Sequence, residues 1–474
     1  MKLATLQVLS DAEVRAIHAA TLDILEHCGV RVLSPRMLAL LKEKGIRTDP
    51  EKRLAYFSPN DVADALAKVP ARFDVFDREG RPACTLGEGE PRIAAGHNAV
   101  NWVDSQTGET RPSTIADVEL FSRICQQLEC IDMIGIPVMP QDGPDPRASL
   151  LYGVRAVIEN STKPLFFSTD NVRVNRAVIE LCRAAFAGKL KEQVYGITQL
   201  SPTSPLYWEE GVLEAILDTL DTGVPIAILP EPIAGVSSPY TLAGLLTMHN
   251  TECVSGIAMI ERLAPGTKLM YGSSWTTINM ASGAALVGST ETSLCRIAGA
   301  QLARFYKVPS HTTAPNSDNH AHDEQNAWEK TFSTFCAVGA GNDLVVNCGM
   351  FATGLTCSHE QLLMDEEISA YSRRIARGIE VSPESIAAEL IKERGPQGET
   401  YLTADHTLSR LRSGEYVAPR LAVSGLHALW AAKGSKDTYA LAKDRVRELA
   451  SLSTPAFAQG RRAAMQDILS RFSK

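Results

Sequence analysis

Gln193-Val194-Tyr195-Gly196-Ile197-Thr198-Gln199-Leu200 is an apolar run with strand character. It leads into Ser201-Pro202-Thr203-Ser204-Pro205-Leu206-Tyr207-Trp208, and a helical pattern follows over 209–220. Strand, polar and aromatic junction, then helix is the order in which α/β enzymes are built, with their chemistry at the turn. The order repeats on both sides of this stretch. Strand-like runs lie at 133–138, 164–168, 225–229, 268–272, 308–312 and 344–348. Helical patterns at 171–186, 240–260, 289–306 and 326–338 separate most of them. Strands alternating with helices imply a parallel sheet. An eighth strand would close it, and 92–95 is the candidate. No strand runs into a GxGxxG turn, and nearly every strand ends in polar or aromatic residues, so a barrel is favoured over an open doubly wound sheet.

The expected fold is therefore an α/β chain of the TIM (β/α)8 type with additions at both ends. Residues 1–112 read as an appendage of short helices and β-hairpins, 113–357 as the barrel, and 358–474 as a charged helical extension. Ser10 with Glu13 forms a capping box, Ser34-Pro35 and Ser58-Pro59 open two further helices, and four glycines between 80 and 96 punctuate hairpins. A helix is predicted over 361–377, and 446–472 reads as one closing helical tail. The extensions are expected to pack on the barrel or to join copies into a homo-oligomer.

Bulk properties exclude several roles. The 474 residues carry a formal net charge of −8 and no basic stripe, so nucleic acid is not an expected partner. The longest apolar runs are too short to span a bilayer, and Met1 to Gln7 lack the apolar core of a secretory signal, so a cytoplasmic protein with no membrane partner is expected. Ten cysteines are scattered without a CxxC pair, as in reduced core residues, and no tightly bound metal is expected.

Candidate site residues follow from junction position. Tyr207 and Trp208 would wall a pocket, or else pack between barrel and helix. Trp275 follows Gly272-Ser273-Ser274, small residues that let a ligand approach the backbone, and Phe351 follows the last strand. Several rings around one site suit a quaternary ammonium group, which cannot donate a hydrogen bond and is held by aromatic faces and carboxylates. Glu231, at the end of a strand in Pro230-Glu231-Pro232, would balance such a cation, and His97 could reach over the barrel mouth. The densest polar cluster runs from His311 through Asn316 to Gln325, with Asp318, His320, His322 and Asp323 as candidates for acid–base work or substrate contact. Its bland reading is a solvated loop with helix-capping acids. Its rival reading is a metal site built on His320 and His322.

Several ordered motifs resemble the trimethylamine methyltransferase family: Pro202-Thr203-Ser204-Pro205-Leu206, the run from Pro230-Glu231-Pro232 to Gly244, Ser317-Asp318 with Asp323-Glu324-Gln325, Leu362 to Ile368, and Gly395 to Leu402 with His406-Thr407. The resemblance spans nearly the whole chain. It implies a barrel enzyme that moves a methyl group from a methylated amine to the Co(I) corrinoid (cobalamin) of a partner protein. The founding members carry pyrrolysine at the barrel centre. The similar stretch here, Leu344-Val345-Val346-Asn347-Cys348-Gly349, holds only standard residues. That departure points to the non-pyrrolysine branch and to quaternary amines, notably glycine betaine. Rings and acids would then hold the ammonium, and His320, His97 or Asn347 would bind the betaine carboxylate, with Asp318, His320 and Asp323 as the catalytic candidates. The alternatives are a metal-dependent barrel hydrolase and a non-catalytic betaine-binding protein.

Overall fold

The computed structural model describes residues 5–474 apart from 106, 170 and 412. The reading of Met1 to Ala4 lies outside the described residues. Eight parallel strands close into a barrel in chain order. They are β1 (Arg92–Ala95), β2 (Met133–Ile134), β3 (Leu165–Ser168), β4 (Gly196–Gln199), β5 (Ile226–Ile228), β6 (Leu269–Ser273), β7 (Ser310–Thr313) and β8 (Leu344–Cys348). One helix follows each strand: α1 (Ile115–Gln127), α2 (Ser149–Asn160), α3 (Val172–Ala185), α4 (Glu210–Thr219), α5 (Leu242–Leu263), α6 (Thr290–Tyr306), α7 (Glu324–Gly339) and α8 (His359–Arg377). Each strand is sandwiched between the barrel interior and the helical ring, so both of its faces are apolar.

The candidate at 92–95 is thus the first barrel strand, and α8 is the eighth barrel helix. Both lie outside 113–357. The barrel takes in the end of the expected appendage and the start of the expected extension. The physical reason is closure, because β8 needs β1 as its neighbour, with Val345 opposite Ile93.

Inward-facing residues alternate along the strands. Ala94, Met133, Phe166, Ile197, Ala227, Met270, Leu344 and Val346 form one buried cluster at the barrel axis. A hairpin of Phe73–Phe76 and Pro82–Leu86 closes the lower end by adding Phe73, Val75 and Leu86 to the same cluster. The upper, C-terminal end is left for chemistry.

The N-terminal helices Asp11–His27, Pro35–Glu43 and Pro59–Leu66 start where their serine caps predict. They pack with a small sheet against α5. Tyr207–Trp208 supplies a strand to that sheet, parallel to Val30–Val32. At the other terminus the predicted single tail is two helices, Thr438–Ala450 and Gln459–Phe472. Pro455 accounts for the break, since it lacks an N–H and turns the preceding residue away from helix. No helix among the described residues is long and apolar enough to cross a membrane.

Candidate active site

The upper end of the barrel gathers polar side chains from almost every strand. From β1 come His97 and Asn98. Asn98 Nδ2 donates to Ser168 O at 3.1 Å and to Ser168 Oγ at 3.0 Å, and His97 Nε2 lies 3.2 Å from the same hydroxyl. Ser168 pairs with Gln199 across β3 and β4, which sets both at one level. From β5 comes Glu231, whose Oε1 accepts from Ser274 Oγ at 3.0 Å. That hydroxyl is 3.3 Å from Thr313 Oγ1 on β7. Asn316 Nδ2 donates to Thr313 O at 3.2 Å, which fixes its amide, and Asn316 Oδ1 accepts from Asn347 Nδ2 at 2.9 Å. The result is a near-continuous hydrogen-bonded ring around the barrel axis.

Asn347 owes its position to a bulge in β8, between Val346 and Cys348, where its own φ is +118°. A bulge turns one extra side chain against the alternation of the strand. A residue with a side chain at that φ is strained, and such strain concentrates at functional sites.

A cavity of about 450 Å³ opens onto this ring, within the range of small-molecule sites. Asn98, Ser168, Gln199 and Glu231 line its floor side, and Arg147 from the β2–α2 loop stands on its wall. Glu231 is exposed to solvent at the cavity, with protein atoms packed around its base that desolvate it in part. That desolvation raises its pKa above the ordinary glutamate value, against a smaller downward pull from Ser274. Burial also lowers the His97 pKa to about 4, offset in part by a hydrogen bond with Asn347, so its imidazole is neutral at pH 7. Below the ring, His311 is fully buried and its pKa falls to about 3 through desolvation, with smaller contributions from His97 and His249. Its ring fits there because Gly272 has no Cβ, which would lie 2.6 Å from His311 Nε2.

Among the described residues, Asn98 Oδ1 and Gln199 Oε1 are buried without a hydrogen-bond partner. Asn98 is held in that orientation by its donation to a backbone carbonyl. Asn98, Gln199 and Glu231 line the same cavity, and Glu231 is the acidic side chain among its lining residues, which suits a cation.

Of the residues expected from the sequence, His97, Glu231 and Asn347 meet at this ring. The rings do not. Trp208 is wholly buried, its Nε1 donates to Ser255 Oγ at 3.0 Å, and it fills the space left by Gly256 on α5. Tyr207 is half-buried in the strand beside it, 31↔207 in register with the N-terminal sheet. Glu252 holds their loop by accepting from Ser204 Oγ and Leu206 N, both at 2.7 Å. Trp275 is 2% exposed and packs tilted against His249, ring centroids 4.3 Å apart, and against Gly299 of α6. Phe351 is buried beside Val103 and packs tilted against His322, ring centroids 4.7 Å apart. All four pack between layers, so the expected aromatic cage is not assembled at the mouth.

The acid cluster after β7 is likewise structural. Asp318 accepts from Val287 N at 2.8 Å and Gly288 N at 2.9 Å, tying two loops together. Asp323 caps α7 through Gln325 N and Asn326 N. The His320 side chain is exposed, while His322 lies between Phe351 and Tyr439 with Nε2 3.2 Å from Ser358 Oγ. The two histidines are not brought together as a ligand pair, and no group of three or more His, Cys, Asp or Glu suited to a metal occurs among the described residues.

Ser168, Gln199, Thr313 and Arg147 were not foreseen. A signal for the first two exists in the sequence: each stands two residues beyond an inward apolar residue, Phe166 or Ile197, and so faces inward too.

The family model described as "Trimethylamine methyltransferase (MTTB)" matches residues 1–473. A trimethylamine methyltransferase of Methanosarcina thermophila is 32% identical over 451 residues, 93% of this chain and 92% of that protein. A glycine betaine methyltransferase of Desulfitobacterium hafniense is 28% identical over 387 residues, 80% of each chain. The crystal structure of the Methanosarcina barkeri monomethylamine methyltransferase covers 99% of this chain and 95% of its own, with a TM-score of 0.50 at 11% identity, a likeness of fold alone.

Proposed function

This chain belongs to the trimethylamine methyltransferase family, and on that premise we propose that it moves a methyl group from a quaternary amine, a betaine such as glycine betaine, to the Co(I) corrinoid of a partner protein. The observation that carries the proposal is the cavity itself: Glu231 is the acidic residue of its lining, beside the amide side chains of Asn98 and Gln199. A quaternary nitrogen is already positive and carries no proton. It departs as a neutral amine, keeping the electron pair of the broken C–N bond, so no residue has to protonate it. The neutral His97 and the carboxylate at Glu231 suit that need, since neither has to act as an acid.

Each part has a stated role in this reading. Glu231 attracts the ammonium as the acidic side chain of the cavity lining. Asn98, Gln199 and Asn347 set its position by their amide dipoles. Arg147, which lines the cavity while its Nε and Nη2 pair with Asp145, is the cation available to the carboxylate of the betaine in place of His320. The corrinoid of the partner supplies the nucleophile that takes the methyl group. The ring holds one methyl toward the open end of the barrel. The all-standard stretch at β8, with Asn347 turned inward by the bulge, supports assignment to the non-pyrrolysine branch.

Proton NMR of a panel of methylated amines, incubated with the protein and cob(I)alamin, tests this. Loss of one methyl from a betaine, with a stoichiometric rise in methylated acceptor, is the expected result. Demethylation of trimethylamine but of no quaternary amine would overturn the substrate assignment.

A further inference from the structure

Behind the barrel mouth lie two charges that the proposed reaction does not use. Lys330 on α7 and Asp365 on α8 are both fully buried, with Lys330 Nζ 2.9 Å from Asp365 Oδ2. Neither lines the cavity. Stability is a weak reason for such a pair. Taking an ammonium and a carboxylate out of water is costly, and well-packed apolar side chains of similar volume often serve folding as well or better.

The remaining contacts of the pair point to another task. Lys330 Nζ donates to the Met350 carbonyl and, at 3.4 Å, to the Pro315 carbonyl, so its three protons meet three acceptors. Asp365 Oδ2 accepts from Gly349 N at 2.7 Å, and Oδ1 accepts from Gln361 Nε2 at 2.8 Å. One turn beyond Lys330, Ser333 Oγ accepts from Asn316 N at 3.0 Å. The chain is thus held just before Asn316 and just after Asn347, the two amides that meet at the mouth. Hydrogen bonds from charged groups are roughly twice as strong as neutral ones, which suits a pair that must fix backbone.

This end of β8 needs fixing. Asn347 and Gly349 have φ of +118° and +93°, and strained backbone persists only where its surroundings over-determine it. Between them the Cys348 carbonyl accepts from Gly96 N at 2.9 Å, so a shift of the bulge would carry the residue before His97 with it.

We propose that Lys330 and Asp365 are positioning residues: the buried ion pair sets the place of the Asn316–Asn347 amide pair and, through Cys348, of His97. The geometry stands alone, whereas its consequence for turnover rests on the function proposed above. Glu231, which attracts the ammonium, is not held by the pair, so misplacing Asn347 should spoil the alignment of the methyl group more than the binding of substrate.

The double variant Lys330→Met/Asp365→Val tests this by replacing the pair with apolar side chains. Its crystal structure should show the hydrogen bond between Asn316 and Asn347 broken and the barrel strands unmoved. Per folded enzyme, kcat for a betaine should fall roughly tenfold to a hundredfold, with KM within about threefold of wild type. A purely structural pair would lower the melting temperature and leave kcat alone. An intact Asn316–Asn347 bond, or an unchanged kcat, would overturn the proposal. Should the double variant not fold, Asp365→Asn, which keeps the shape of the side chain, takes its place with the same two readouts and a smaller loss. Failure of both to fold would also count against the proposal, because the pair would then be needed for the fold itself. A wild type that demethylates no quaternary amine would sink the function proposed above and leave the crystallographic readout standing.

Discussion

The barrel mouth and the β7–α7 loop lie at the same end of the molecule and are both rich in polar side chains, yet they differ in what those side chains do. In the loop, Asp318 and Asp323 each accept from two backbone N–H groups, and His322 is sandwiched between rings. Its hydrogen-bonding capacity is used on the chain itself. At the mouth, polar groups come one or two per strand from residues 250 positions apart in sequence, and amide oxygens of Asn98 and Gln199 are left over. Local density of acids and histidines marks a well-capped loop. Unsatisfied capacity at the ends of separate strands marks a site.

Substitutions can break that contrast. The largest effect is expected at Trp275, one residue beyond Ser274 of the mouth. If it is interlayer packing, Trp275→Ala should lower unfolding free energy by about 3–5 kcal/mol in chemical denaturation, while the folded protein keeps its betaine affinity. Weakened binding at unchanged stability would return Trp275 to the substrate. Next comes Glu231→Gln, which should lower kcat/KM for a betaine about 100-fold, or ~2.7 kcal/mol, in steady-state assays. Because the Glu231 pKa is raised, the folded chain holds its proton more readily than the unfolded chain. The ionised form is therefore a cost to folding that grows as pH rises, and E231Q should melt slightly above wild type at pH 8. Activity lost together with stability would make Glu231 a structural residue.

Histidine titration sharpens the same picture. His97 and His311, with pKa values of about 4 and about 3, stay neutral when folded, whereas an unfolded imidazole protonates near 6.5. The unfolded chain thus binds more protons below that value, and thermal midpoints should fall as pH drops from about 6.5 toward 4. A smaller effect is expected in the loop. Asp323→Ala removes the cap of α7 and should cost about 1 kcal/mol of stability with turnover within a few-fold of wild type. Smallest of all, His320→Ala should change neither melting nor turnover, its side chain being exposed. A large loss of turnover in either variant would move the chemistry to the loop.

Much of the fold could be read from the sequence because strand and helix periodicity repeat, and serine caps with proline mark helix starts. The candidate strands at 133, 164, 194, 225, 268, 308 and 344 all lie in the barrel. The site was legible only in part, for a reason of parity. Met270, Gly272 and Ser274 face inward, so Tyr271, Ser273 and Trp275 face the helices. Position at a junction selects both sets, and only the two-residue alternation separates them. Tyr207 and Trp208 misled for another reason. Their strand pairs with Val30–Val32, a partner far away in sequence that no local pattern reveals. Asn347 would escape a parity argument, because the bulge beside it resets the alternation.

A crystal structure with a bound betaine would test the central claim most directly. The account predicts the ammonium within about 6 Å of the Glu231 carboxylate, in the cavity bordered by Asn98 and Gln199, with the ligand's carboxylate toward Arg147. A betaine bound instead against Asp318, His320 or His322, with the cavity at Glu231 holding no ligand, would contradict it.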